Sequence, residues 1–279
     1  MQRIITAAIL LPFLIASILV PWLQLLFVAL AAAAMVLALY EFYVLARMRD
    51  MKPDIGAGFL GAAALFTIFY FAEPGRDLDF FWLIQLTLLV FTGGVLIAAT
   101  LRGAPFDRII ASSGATILGV LYIVLLGGHL VAVRMGFEQK LSAHLLSFFF
   151  LVLMGADIAA YYTGRAIGRH KLAPKISPGK TWEGAAGGMV AALALATVSH
   201  FWFFRELPLK WALLLAAVMM ILGVLGDLSE SALKRSTGAK DAAKLLPGHG
   251  GMLDRLDSLL FNAPLIYYFA RLYFGSNRF

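Results

Sequence analysis

The chain has 279 residues, of which 61% are hydrophobic and 14% charged, with a net charge of +7, no cysteine and five histidines. A mean hydropathy of +0.86 leaves too little polar surface to coat a water-soluble globule of this length, so an integral membrane protein is expected. Disulfides, thiolate nucleophiles and cysteine-ligated zinc are excluded, and histidines 129, 144, 170, 200 and 249 have no ligand spacing, so any metal must rest on oxygen.

A helix needs about 20 apolar residues to cross a bilayer. From Ile4 to Tyr40 no residue carries a formal charge, and Pro21 divides this stretch into two spans, 4–20 and 22–44. Arg3 ahead of an apolar run also resembles a signal peptide, but the second span follows at once and a retained first helix is expected. Further spans are expected at 55–72, 80–101, 109–133, 141–162, 184–204, 211 to about 231, and about 256–274, which makes nine. The fold class is therefore an all-α polytopic membrane protein, a single domain over 1–279. Residues 1–140 supply packing helices and dimer contacts, and 141–279 supply the chemistry. Segment 73–79 is expected as a surface turn.

Nine spans put the termini on opposite sides. Sixteen of the 23 lysines and arginines then share the side of the N-terminus, and seven lie opposite. By the positive-inside rule the N-terminus and two polar islands, 165–183 and 231–257, face the cytoplasm, and the C-terminus lies across the inner membrane. Loop orientation and lipid headgroups explain the positive charge, and no basic-and-aromatic module points to nucleic acid.

The islands hold the residues that can do chemistry. Asp227 and Glu230 stand at i and i+3 on one helical face, and acids at membrane depth face a cavity, a partner charge or a metal. For Glu230 a salt bridge to Lys234 at i+4 is a sufficient account. Asp254 and Asp257 repeat the spacing around Arg255, and three aspartates, 227, 254 and 257, suit one or two hard divalent cations and phosphoryl or nucleotidyl transfer. The turn Pro247-Gly248-His249-Gly250-Gly251 lets the backbone approach a ligand, with His249 either bonding a phosphate or satisfying the loop. Lys234, Arg235, Lys240 and Lys244 are cytoplasmic flank residues or phosphate ligands.

In the earlier island, Gly179-Lys180-Thr181 is not a P-loop, because Pro174 stands where that pattern needs glycine. Ser177 and Pro178 instead suit an N-cap and first helical position, presenting the seventh span's N-terminus to an anion. Asp157 is another acid at depth, expected to bind an ion or pair with Arg165. His129 and His200 read as hydrogen-bonded packing residues, and Glu41 as an interfacial acid with no functional role.

The run from Ser231 to Asp257 resembles the signature of the phosphatidate cytidylyltransferases. It has the Ser-x-Leu-Lys-Arg start, the Lys240-Asp241 pair, the His249-Gly250-Gly251 turn and the Asp254-Arg255-x-Asp257 end. Asp157, Ser177 to Gly184 and the opening QRIITA are similar to family features too, so the resemblance covers the whole chain. It implies that CTP and phosphatidate give CDP-diacylglycerol and pyrophosphate with Mg2+, one or two divalent ions with a monovalent second ion left open, and a homodimer. It implies Asp227, Asp254 and Asp257 as metal ligands, with Asp157 a further candidate, and Lys234 and Arg235 beside them in catalysis. Substrate contacts are implied for Ser177, Lys180, Thr181 and Glu183 in the first island. In the second they are implied for Ser231, Lys240, Asp241, Lys244, His249, Gly250, Gly251 and Arg255. Rival readings are a CTP-dependent enzyme on another lipid, either a cytidylyltransferase or a polyprenol kinase, and an ion-coupled transporter.

Overall fold

The computed structural model describes residues 2–71, 77–102, 106–238 and 251–275, with side chains described from Leu11 and not at 77 and 78. The first hydrophobic stretch forms α1 (Gln2–Leu19) and α2 (Gln24–Arg47), parted by a 3-10 turn at Pro21–Leu23, where proline ends one helix and opens the next. Then come α3 (Ile55–Tyr70), α4 (Asp77–Leu101), α5 (Ile109–Gly119), α6 (Leu126–Met135) and α7 (Gln139–Ile167). A π-helical stretch, Val120–Leu125, joins α5 to α6 in one rod. A hairpin of β1 (Lys171–Ala173) and β2 (Ser177–Thr181) leads into α8 (Trp182–Trp202), α9 (Leu209–Ser236) and α10 (Leu253–Gly275).

Among the described residues there are thus nine helical rods at the nine expected places. Six helices are long and apolar enough to cross a membrane; Ile55–Tyr70 is apolar but shorter, and α10 carries Asp254, Arg255 and Asp257 in its first turns. Nine rods is what the structure provides, and six crossings is what length and composition alone define. Trp82, Leu89, Val90 and Ile97 on α4, Leu60 on α3 and Val190 on α8 are all exposed. A water-soluble surface would not carry so many large apolar side chains, whereas hydrocarbon accepts them. The turn expected at 73–79 falls mostly outside the described residues, with helix from Asp77 onward.

The interior is packed by large side chains against small ones. A Cβ on Gly58 would collide with the Tyr43 ring, whose hydroxyl donates to the carbonyl of Thr116 at 2.9 Å, so α2, α3 and α5 meet at close range. His129 donates from Nδ1 to the carbonyl of Leu125 at 2.8 Å and packs on Phe69 and Tyr267; His200 Nδ1 bonds the carbonyl of Leu207 at 2.8 Å. Both are packing residues, as expected.

One expectation is corrected. Ser177 and Pro178 do not start the seventh span. They lie in β2, with Ser177 opposite Ala173 and Lys171 opposite Thr181, and α8 begins only at Trp182. Thr181 is the N-cap, its hydroxyl accepting from the amide of Gly184 at 3.1 Å. The run Ser-Pro-Gly-Lys-Thr offers a proline that tolerates an outer strand position as readily as a first helical turn, and the threonine caps better placed than Ser177.

Candidate active site

Four helix ends come together at one end of the bundle: the C-terminal turns of α7 and α9 and the N-terminal turns of α8 and α10. Asp227 and Glu230 project from α9 and Asp257 from α10, and one oxygen from each lies within 4.8 Å of the others. The approach depends on Gly226. A Cβ there would stand 2.5 Å from the carbonyl oxygen of Asp257, so only glycine lets the α10 backbone lie against α9 at this level. Asp157 on α7 joins from the third side, its Oδ2 accepting from the hydroxyl of Ser258 at 3.4 Å.

Two lysines hold the acids in place. Lys180, at the end of the hairpin, puts its Nζ 2.6 Å from Asp227 Oδ2, while Ser231 donates to the other oxygen at 3.3 Å. Lys234 sits between two carboxylates, 2.7 Å from Glu230 and 2.6 Å from Asp254, and is largely buried. The i+4 bridge from Glu230 to Lys234 is as expected, yet Glu230 also belongs to the group of three. It is 1% exposed, and its second oxygen has no hydrogen-bond partner among the described residues. A buried carboxylate oxygen left without a partner is costly, and a cation beside it removes the cost.

Of the expected metal acids, Asp227 and Asp257 are therefore brought together, and Asp157 lies next to them through Ser258. Asp254 adjoins the group at Glu230, with which it shares Lys234, and its other oxygen accepts from the amide of Gly251 at 3.3 Å. Asp157 does not pair with Arg165, which donates instead to the Tyr161 hydroxyl at 3.2 Å.

The hairpin residues expected to touch substrate have structural work. Glu183 accepts from the amides of Arg169 at 3.1 Å and His170 at 3.2 Å, and lies 2.6 Å from His170 Nδ1. With the Trp182 amide donating to the His170 carbonyl at 2.9 Å, this closes the base of the hairpin that carries Lys180. Arg235 and Arg255 are exposed at the ends of α9 and α10. Lys240, Asp241, Lys244, His249 and Gly250 lie outside the described residues; Gly251 is described and buried.

Sequence reasoning missed Glu41, Gly226 and Ser258, and it left Glu230 open between a metal-facing acid and a salt bridge to Lys234. Glu41 is fully buried and accepts from the amide of Leu253 at 2.9 Å, so it does hold the start of α10. The available signal was that it is the first acid after a long charge-free stretch.

The three carboxylates fit a hard divalent cation by donor chemistry, all oxygen, and by the unpartnered Glu230 oxygen among them. Fold and site together define an all-α, multi-pass membrane protein with an oxygen-donor centre, flanked by lysines, at one end of its bundle. Comparison with known proteins narrows this class. The model of the cytidylyltransferase family matches residues 1–273. The phosphatidate cytidylyltransferase of Bacillus subtilis (strain 168) is 35% identical over 285 residues, 98% of this chain and 98% of that one. That of Staphylococcus haemolyticus (strain JCSC1435) is 35% identical over 234 residues, 84% of this chain and 86% of that one. That of Haemophilus influenzae (strain ATCC 51907 / DSM 11121 / KW20 / Rd) is 45% identical over 129 residues, 45% of each. The chain belongs to the cytidylyltransferase family.

Proposed function

We propose that this chain makes CDP-diacylglycerol and pyrophosphate from CTP and phosphatidate, in a Mg2+-dependent reaction at the cytoplasmic face of the inner membrane. The observation that carries the reading is the meeting of Asp227, Glu230 and Asp257 within 4.8 Å in a chain of this family. Relatives that bear the name phosphatidate cytidylyltransferase over nearly their whole length support the choice of substrates. The excess of basic residues on the side of both islands supports the orientation. The homodimer rests on the family resemblance.

A phosphomonoester has its second pKa near ~6, so the lipid phosphate is already largely dianionic at neutral pH and needs no strong general base. An oxygen of that phosphate attacks the α-phosphorus of CTP; the new P–O bond forms as the bond to the β-phosphate breaks, and pyrophosphate leaves with the electron pair. The barrier is the repulsion between two anions, and fixed positive charge and positioning lower it. Asp227, Glu230 and Asp257 would hold Mg2+, which when bound screens the triphosphate charge. Lys180 exchanges its contact with Asp227 for phosphate oxygens. Lys234, clamped between Glu230 and Asp254, presents an ammonium whose direction does not have to be set during the reaction. Arg235 stands one residue further along α9, toward the aqueous side.

The test is incubation of purified protein with labelled CTP, phosphatidate and magnesium, with both products identified. CDP-diacylglycerol and pyrophosphate are expected. Release of CDP would make the protein a lipid kinase, and no nucleotide turnover at all would remove the proposal.

A further inference from the structure

Away from the carboxylates, a cavity of about 360 Å³ opens among the ends of α2, α4 and α5 and the start of α3, with no lining residue on α7 to α10. Its volume is that of a small-ligand site. Four cations, Arg47, Lys52, Arg102 and Arg108, line it with a single acid, Asp54. That acid is already engaged. Its carboxylate pairs with Arg102 and accepts from the amide of Ala57 at 3.0 Å as the N-cap of α3. Arg108 lies 3.7 Å from Asp107, whereas Arg47 and Lys52 make no ion pair among the described residues. The Lys52 loop is nevertheless fixed, its amide donating to the Ser112 hydroxyl at 3.0 Å, so the cation stands over a built wall.

The wall changes character with depth. Arg47 lies in the last turn of α2 and Arg102 directly after α4, at the ends of two helices long and apolar enough to cross a membrane. Val95 and Ala99 stand seven and three residues before Arg102, on one stripe of α4, and both line the cavity. The α4 side of the wall is therefore apolar, opposite Ser112, Ser113 and Thr116 on α5, and the neighbouring α4 side chains Val90, Leu96 and Ile97 are exposed. A free anion needs only the cations. A ligand that also meets the apolar stripe has a charged head and hydrocarbon behind it, which is the arrangement that basic pockets between transmembrane helices offer to anionic lipid.

We propose that this cavity binds an anionic phospholipid, with the headgroup phosphate between Arg47 and Lys52 and the acyl chains descending along α4, as a lipid site separate from the catalytic carboxylates. The proposal rests on the chain being a membrane protein, and not on the reaction it performs.

The full chain in neutral detergent is titrated with phosphatidylglycerol, phosphatidylcholine or inorganic phosphate, following bound lipid by native mass spectrometry and thermal stabilisation in parallel. Saturable, stabilising binding is expected for phosphatidylglycerol alone. The double variant R47Q/K52Q should weaken it roughly thirtyfold, from about 1 kcal/mol for each basic residue near a membrane surface. A99F keeps every charge but fills the cavity and should weaken it at least tenfold, as a rough figure for loss of a fitted site. D227N, at the catalytic cluster, should bind phosphatidylglycerol as wild type does. Equal binding of phosphatidylcholine, equal stabilisation by inorganic phosphate, or A99F binding as wild type would each overturn the proposal. Should R47Q/K52Q fail to fold, A99F decides alone. The readout is binding and not turnover, so failure here leaves the cytidylyl-transfer proposal standing, and the reverse holds.

Discussion

The carboxylate of Glu41, on α2, accepts a 2.9 Å hydrogen bond from the amide of Leu253, the first residue of α10. The first four amides of a helix have no partner within it, and a negative charge is favourable at that end. A fully buried acid from the N-terminal half thus fixes where α10 begins, and with it the depth of Asp254 and Asp257. Glu41→Ala is expected to cost about 1–3 kcal/mol, the penalty of leaving a buried donor unmet, and to lower turnover through misplacement of α10. Glu41→Gln keeps an acceptor oxygen and should retain more of both. Thermal unfolding and initial rates measured on the same preparations check this; an alanine variant as stable and active as wild type would show that the contact contributes nothing.

Gly226 supports the same arrangement from below. On propensity alone, alanine in this helix interior would stabilise α9 by about 1 kcal/mol. Its Cβ would meet the carbonyl oxygen of Asp257 at 2.5 Å, and a backbone atom in a packed helix cannot swing aside like a side-chain tip. Gly226→Ala is expected to push α10 away, separating Asp257 from Asp227 and reducing turnover by about two orders of magnitude, the scale of a roughly 1 Å misplacement. Apparent magnesium affinity should weaken in step with rate. A variant with wild-type magnesium dependence would mean that α10 does not sit where the carboxylates need it.

Lys180 and Asp227 separate the roles of cation and carboxylate. Asp227→Asn in folded protein should abolish turnover. Lys180→Met removes only the positive charge, and should lower kcat by about 10²–10³, the range for loss of one preorganised donor at a developing charge. Near-normal rates for Asp227→Asn at ordinary magnesium would remove that residue from the mechanism. Unchanged kcat for Lys180→Met would confine the lysine to holding the carboxylate.

The helical rods were legible because bilayer thickness and charge exclusion leave a strong mark on sequence, down to the break at Pro21. The hairpin at 171–181 was not. A three-residue strand and a five-residue one carry no readable alternation, and Ser177-Pro178 fits a helix start as well as a strand. In the site, Asp227 and Asp257 could be read from their i, i+3 partners and the family signature. That Glu230 stands closer to Asp227 and Asp257 than Asp254 does could not, because it depends on where Lys234 lies between the two acids, 20 residues of sequence from Asp254. Glu41 stood out only as the first acid after a charge-free stretch; its role did not, because its partner is a backbone amide 212 residues away, which leaves no side-chain signature.

On the opposite side of the bundle, Glu206 in the loop before α9 lies 2.8 Å from Lys140 and 3.4 Å from His144. The Lys140 hydrogen bond holds its carboxyl below the usual range. A carboxylate with a depressed folded value adds stability above its ordinary pKa and loses it as pH falls through the depressed one. Glu206→Gln should therefore lower the melting temperature slightly at neutral pH, and the difference from wild type should shrink to nothing in acid. Lys140 and Glu206 are exposed, so the effect is small and weakened by salt. A difference that grows on acidification would contradict the assignment.

Glu183 tests whether the hairpin is a scaffold or a substrate contact. Its carboxylate collects the amides of Arg169 and His170 and the His170 ring, while Thr181 caps α8 beside it, so the strand bearing Lys180 is tied at its base. Glu183→Ala unties three bonds at a largely peripheral element, so the bundle should melt near the wild-type temperature while the hairpin loosens. Trypsin should then cut faster at Lys171 and Lys175, and kcat should fall because Lys180 no longer faces Asp227. Were Glu183 instead a direct ligand of the nucleotide, cleavage would stay at the wild-type rate and KM for CTP would carry the whole effect. The two outcomes are read from one preparation, by a digestion time course and a substrate titration.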